Sequence, residues 1–209
     1  MFFLDNNTVN IAIVILAAGA STRMGSPKQL LKWGDTTLLD HSINTALNTA
    51  AKDVFVVLGA YFSDIQKHIK HKSIHILKND GWELGLGSSI SYAANYLQKN
   101  NFEIDGILFM LADQPLITNG FLNELIQNFK PNTNDIIVTS YGTQKGVPAI
   151  FDKTYFKLLS ELDGNTGAKQ VITDYETYVK WVKPPKKNVD LDTVEDYKIL
   201  FKKTFEEEK

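Results

Sequence analysis

Leu16-Ala17-Ala18-Gly19-Ala20-Ser21-Thr22-Arg23-Met24-Gly25-Ser26-Pro27-Lys28 is the stretch from which the fold is read. It follows Ile11-Ala12-Ile13-Val14-Ile15, an unbroken apolar run of strand length. A strand apolar on both faces belongs in a buried, parallel sheet. The change to small residues then lets the backbone approach a ligand and aim several N–H groups at one place. Arg23 and Lys28 put two cations within reach of whatever those donors hold, and a polyphosphate is the natural guest. The plain alternative is an ordinary glycine-containing turn between a strand and a helix.

Spacing excludes the commonest phosphate loops. Gly19, Gly25 and Lys28 do not fit Gly, four residues, Gly-Lys-Ser/Thr. The dinucleotide pattern G-x-G-x-x-G is absent as well. What stands here is L-A-A-G-x-S-x-R-M-G-x-x-K-x-L-L. It resembles the signature loop of the glycosyltransferase-A-type nucleotidyltransferases with a MobA-like NTP transferase domain, and within them the molybdenum cofactor cytidylyltransferase branch. The resemblance implies that Leu16, Ala17, Ala18, Gly19, Ser21, Arg23 and Lys28 contact the nucleotide, with Arg23 and Lys28 catalytic. The guanylyl branch usually has L-A-G-G here, so Ala18 points to CTP.

Composition bounds the rest. The 209 residues suit one α/β domain, expected to span 1–209. A 44% hydrophobic content is enough for a full core. With 22 Lys plus Arg against 24 Asp plus Glu, nothing suggests a nucleic-acid surface. Cysteine is absent, which rules out disulfides and thiolate metal sites. The start, Met-Phe-Phe-Leu-Asp-Asn-Asn-Thr, lacks the basic flank and apolar length of a signal peptide. No 18-residue apolar run offers a membrane span, so the expectation is a cytoplasmic protein. The tail Phe205 to Lys209 reads as a solvated end.

Along the chain, apolar runs at 54–58, 74–77, 107–111, 136–138, 149–151 and 178–181 predict strands, and 189–191 predicts a short extended piece. Helical stripes run from Leu39 to Ala50, Ser63 to Lys70, Ile90 to Leu97 with Ser88 as cap, Phe121 to Phe129, Tyr155 to Leu162, Ala168 to Tyr175 and Val194 to Phe205. Pro148 suggests an edge or an entry position. Alternating strands and helices predict a mostly parallel sheet covered on both faces. The fold class expected is a three-layer α/β/α sandwich with a Rossmann-like nucleotide-binding half, of nucleotide-diphospho-sugar transferase type. Ligands of such sheets lie beyond the carboxyl ends of the strands, which puts the Gly19 loop and Asp113 at one edge.

Asp113 follows five apolar residues. A carboxylate at a strand mouth is either a Mg²⁺ ligand facing phosphates or a cap for the turn before Pro115. In Asp190-Leu191-Asp192-Thr193, residues two apart on a strand face one side, so the two acids project together with Leu191 in the core. A cation between them or a cap by Asp192 or Thr193 for the last helix would each explain the pattern. Asp113-Gln114-Pro115 resembles the family's D-Q-P metal motif, and Asp190 to Asp196 resembles D-x-D-T-P-E-D with Val194 in place of Pro. The resemblance makes Asp113 and Asp192 the Mg²⁺ ligands, with Asp190 the weaker candidate.

The second glycine-rich stretch, Asn79 to Ser89, is either a mobile loop over a ligand or a loop anchored by Trp82. It resembles N-x-x-W-x-x-G-x-x-S-S-I near the base, which implicates Asn79 and Ser88 in nucleotide binding. Gly146-Val147-Pro148 resembles an acceptor-side turn. Leu162 to Lys169 resembles L-x-G-D-x-G-A-R, with Asn165 replacing the acid and Lys169 the arginine, a change that costs bidentate anion binding. His71 and His75, four apart, read as solvated or structural.

The reading that results is a Mg²⁺-dependent transfer of CMP from CTP to the phosphate of molybdopterin, with a client molybdoenzyme as a further partner. The alternatives are guanylyl transfer to the molybdenum cofactor, a sugar-phosphate or isoprenoid-pathway cytidylyltransferase, and a non-catalytic maturation factor. Retention of Arg23, Lys28, Asp113 and Asp192 together argues against the last.

Overall fold

The computed structural model describes residues 9–142, 144–164, 167–185 and 188–206. Asn165, the first eight residues of the chain and Glu207 to Lys209 lie outside them, as do the expectations attached to those positions.

The main sheet has seven strands: β1 (Ile11–Leu16), β4 (Asp53–Leu58), β5 (His75–Lys78), β6 (Gly106–Leu111), β7 (Ile136–Tyr141), β8 (Gln144–Asp152) and β9 (Val179–Val182). Their order is β5-β4-β1-β6-β8-β7-β9. β1 lies between β4 and β6, parallel to both, with Ile13 opposite Val54 and Leu108. Only β8 runs antiparallel to its neighbours β6 and β7. A separate two-stranded ribbon joins β2 (Lys32–Trp33) and β3 (Thr36–Thr37).

Alternate residues of β1 go to opposite faces, as strand geometry requires. Ala12, Val14 and Leu16 meet α3 (Leu86–Lys99), α5 (Phe156–Ser160) and α6 (Lys169–Asp174) on one side. Ile11, Ile13 and Ile15 meet α1 (Leu38–Leu47), α2 (Phe62–His68) and α4 (Asn119–Asn128) on the other. The sheet is therefore the middle of three layers, and β1 is buried throughout. A smaller cluster joins Trp33, Leu38, Leu191 and Leu200, placing α7 (Val194–Phe205) over the ribbon. Among the described residues no helix is long and apolar enough to cross a membrane.

Three local expectations are corrected. Pro148 is not at an edge: β8 lies between β6 and β7. It sits where the register shifts, Val138 facing Ala149 but Thr139 facing Gly146. A bulge is the other place a strand accepts a residue without an N–H, and Thr139 Oγ1 donates to Pro148 O at 2.6 Å there. The short extended piece at 189–191 is not paired as a strand, and the strand-based expectation that Asp190 and Asp192 project together fails. The tie of this piece to the sheet edge is a single backbone bond, Leu191 N to Asp113 O at 3.0 Å, with Leu191 fully buried. Ser88 does not cap α3, because the helix starts one turn earlier and Gly85 is its N-cap.

Candidate active site

The loop after β1 is tied down through its backbone on both sides of the peptide. Ala17 N donates to Val57 O at 3.0 Å and Ala60 N donates to Ala18 O at 2.9 Å. A Cβ added at Gly19 would meet nothing within 4 Å, so the missing side chain leaves room at the pocket and answers to no protein neighbour. Ser21 adopts the left-handed conformation, φ 54°, and its Oγ accepts from Lys28 N at 3.2 Å. That bond returns the chain so that Lys28, at the head of a short 3-10 turn, points across the strand ends.

Lys28 is the centre of the site. Its Nζ bonds Asp113 Oδ2, donates to Leu191 O at 3.3 Å and lies 3.8 Å from Asp192 Oδ1. Arg23, largely exposed, comes within 4.0 Å of Asp192 Oδ2. The sheet edge thus gathers Arg23, Lys28, Asp113 and Asp192 from segments far apart in sequence. Helix α1 holds the Asp113 turn: Ser42 Oγ donates to Ala112 O at 3.2 Å, and His41 Nε2 donates to Pro115 O at 3.0 Å. Asp192 is aimed by the capping box of α7, in which Thr193 and Asp196 each bond the other's backbone N–H. Asp190 turns instead to Gln114, which donates to it at 2.9 Å.

Burial raises the Asp113 carboxyl above the usual carboxylate range. Lys28 pulls it back, and Asp190 and Asp192 add to the rise. Its Oδ1 is buried without a partner. A half-satisfied carboxylate facing a second one is what a hard divalent cation would complete, because such ions take oxygen donors from one or two carboxylates and fill the rest with phosphate and water. No group of three His, Cys, Asp or Glu able to hold an ion by itself occurs among the described residues, so the cation would depend on substrate oxygens.

A pocket opens beside this cluster, walled by Leu16, Ala17, Ala18 and Gly19 on one side and by Trp82 and Ser89 on the other. The second glycine-rich stretch is anchored, not loose. Trp82 packs on the core, and a Cβ at Gly87 would fall 1.9 Å from Asp163 O. Asn79 and Ser88 keep their polar groups within this loop. Asn79 Nδ2 donates to Ser88 Oγ at 3.1 Å, and Ser88 Oγ donates to Gly85 O at 2.8 Å. Both line an adjoining cleft, and Ser89 takes the place at the pocket wall.

The family profile described as the MobA-like NTP transferase domain matches residues 13–179. The chain belongs to that family. The match runs from β1 to the start of β9 and takes in the loop, Lys28 and Asp113. A homologue of Mycobacterium tuberculosis Rv0371c from Mycobacterium sp. strain JC1 superposes with a TM-score of 0.80 at 31% identity, covering 92% of this chain and 96% of that one. Rv0371c of M. tuberculosis H37Rv, in a structure described as a complex with manganese, superposes at 0.77 with 26% identity, over 93% and 99% of the two chains. The bifunctional protein GlmU of Coxiella burnetii strain CbuK_Q154 is 27% identical over 163 residues, 77% of this chain. The chain spans about a third of the length of such curated relatives, 35% in that case. The sheet order and these superpositions make the architecture a nucleotide-diphospho-sugar transferase-like α/β fold.

In this MobA-like domain several positioning groups carry no sequence signal. Ser42 and His41 sit in an ordinary amphipathic helix. Gln29 is 2% exposed although its neighbours in sequence gave no sign that a polar residue is buried there. His71 and His75, which read in sequence as solvated or structural, both have protein partners: His71 bonds Asp40 at 2.8 Å, and His75 stacks on Phe55 at 4.5 Å between ring centres.

Proposed function

We propose that this MobA-like domain is a cytidylyltransferase that uses CTP and Mg²⁺ to place CMP on the phosphate of molybdopterin. The observation that carries the reading is the position of Lys28, bonded to Asp113, close to Asp192 and tethered through its backbone to the small-residue loop. One cation joins the donors suited to a triphosphate to the carboxylates suited to a metal. The acceptor phosphate oxygen attacks the α-phosphorus in line. A new P–O bond forms, the α–β bridge breaks, and pyrophosphate leaves with the electron pair. Lys28 and Arg23 neutralise charge on the triphosphate as it moves onto the leaving group, and the loop N–H groups hold the phosphates in place. Asp113 and Asp192 would hold the Mg²⁺, which when bound supplies further charge neutralisation; the manganese complex of Rv0371c supports use of a divalent ion. The chemistry is mostly positioning and needs no side-chain nucleophile.

Cytosine preference is supported by Ala18 at the pocket wall, where a methyl group leaves less room for a purine than glycine would. One methyl group discriminates by roughly 10- to 200-fold. The anchored loop around Trp82 forms the opposite wall, and the product's expected destination is a client molybdoenzyme in the cytoplasm.

Pyrophosphate release measured with each of the four nucleotides, with and without molybdopterin and Mg²⁺, tests the proposal. The expected result is release that needs both additions and is fastest with CTP. A preference for GTP would overturn the cytidylyl reading, and release with a different acceptor only would overturn molybdopterin.

A further inference from the structure

We infer that Gln29 is the positioning residue that presets the nucleotide loop; this rests on the reading of residues 17–21 as that loop. Gln29 follows Lys28 in the same 3-10 turn and is almost completely buried. Its Nε2 donates to Ala17 O at 2.7 Å and to Gly19 O at 3.0 Å. Two carbonyls on one amide group settle which way the amide faces, because the reversed orientation would set Oε1 against both oxygens.

A peptide unit is planar and trans, so its C=O and N–H point in opposite directions. Drawing the Ala17 and Gly19 carbonyls back onto Gln29 therefore sends the Ala18 and Ala20 N–H groups the other way. The intervening carbonyl, of Ala18, is taken by Ala60 N. Three consecutive peptide units thus have fixed orientations, while the N–H groups of Ala18, Gly19 and Ala20 have no partner among the described residues. That is a donor array set before any ligand arrives. Such donors need no reorganisation at the moment of reaction, which is where electrostatic catalysis gains most.

The other half of the Gln29 side chain supports the same role. Oε1 is buried without a partner. A residue kept for packing alone would be better replaced by methionine or leucine, which bring no unmet acceptor. Retaining an amide with one end unsatisfied is explained by what its other end holds. The same turn carries Lys28, so the phosphate lysine and the loop clamp move as one unit.

The test uses Gln29→Met, close to isosteric but without a donor, and Gln29→Asn, which keeps the amide one methylene short. Backbone 15N order parameters of Ala18 and Ala20 by NMR, without nucleotide, report loop order directly. Steady-state kinetics with CTP and with GTP report function. Gln29→Met is expected to lower the order parameters of both amides and to lower kcat/KM by about 10- to 100-fold. The loss should be equal for both nucleotides and appear in kcat as well as KM, with Gln29→Asn intermediate. Unchanged order parameters in a folded variant, kcat/KM within about threefold of wild type, or a loss confined to one nucleotide would each overturn the inference. If nucleotide fails to protect these amides in the wild-type protein, the loop reading itself falls, and with it this role for Gln29.

Discussion

Asp113 and Gly19 line one pocket and differ in what the protein itself needs from them. Asp113 is half-satisfied: Lys28 holds one oxygen and the other has no partner. Asp113→Ala is expected to abolish pyrophosphate release while the variant still unfolds cooperatively, because the carboxylate is desolvated for chemistry and contributes little packing. Retention of near-normal metal-dependent turnover would remove Asp113 from the site. Gly19 makes the complementary case. A Cβ there meets no protein atom within 4 Å, and its φ is not in the left-handed region. Gly19→Ala should therefore leave the melting temperature within about 2 °C, as a surface substitution of under 0.5 kcal/mol would. It should raise KM for the nucleotide all the same, because the methyl group enters the pocket. A large drop in melting temperature would mean that Gly19 serves the fold instead.

At the scale of elements, the wall formed by residues 82–89 depends on close backbone approach. A Cβ at Gly164 would lie 1.6 Å from Leu84 O, and Gly87 N donates to Gly164 O at 3.2 Å. Flexible side chains can yield to a new methyl group, but two backbones in contact cannot. Gly164→Ala is expected to cost about 1–3 kcal/mol by overpacking. It should also displace the 3-10 turn Trp82–Leu84 and with it one side of the pocket. Denaturant unfolding together with nucleotide titration would check both effects, and full stability with unchanged affinity would refute the account. The glycines of this stretch read in sequence as loop-forming or ligand-facing. Their partner segment, 163–164, is about eighty residues away along the chain, so nothing local could announce that they serve contact between two loops.

For the whole molecule, stability is tied to pH through a tyrosine at the strand bulge. Tyr141, near the end of β7, donates from its hydroxyl to Val147 O at 2.6 Å. Burial pushes its phenol up to about 12 from an ordinary 10.0. A folded-state value above the unfolded one means that the neutral phenol stabilises the fold fully below pH ~10 and loses that contribution as pH rises towards ~12. Urea midpoints measured from pH 8 to pH 12 should therefore fall above ~10. Tyr155, whose phenol burial also pushes up to about 12, adds to the same fall, so Tyr141→Phe should lessen it without removing it, while lowering stability at neutral pH by about 1 kcal/mol for the lost hydrogen bond. A variant with the same alkaline slope as wild type would show that Tyr141 is not its source.

The sequence by itself determined the class of fold and the two ends of the site. Ile11 to Ile15 is short, rich in β-branched residues and followed by the glycine-bearing loop, which marks a strand buried on both faces and not a helix, and the small-residue loop with Arg23 and Lys28 followed directly from it. Asp113 at the mouth of a second apolar run, and Thr193 with Asp196 as a cap, were equally local and equally legible. Tertiary structure decided the rest, because it depends on pairs distant in sequence. It set β8 antiparallel inside the sheet with Pro148 at a bulge, and it kept the extended segment 189–191 out of the sheet, fastened by one backbone–backbone hydrogen bond and by the side chains of Lys28 and Gln114. It also turned Asn79 and Ser88 inward to hold their own loop. The placement of Gln29 belongs here too: a glutamine between a lysine and two leucines reads as a surface residue until the carbonyls of Ala17 and Gly19 fold back onto it. Periodicity and turn chemistry act over a few residues and leave their mark in the sequence, whereas the partner of a buried polar group is chosen only when the layers close.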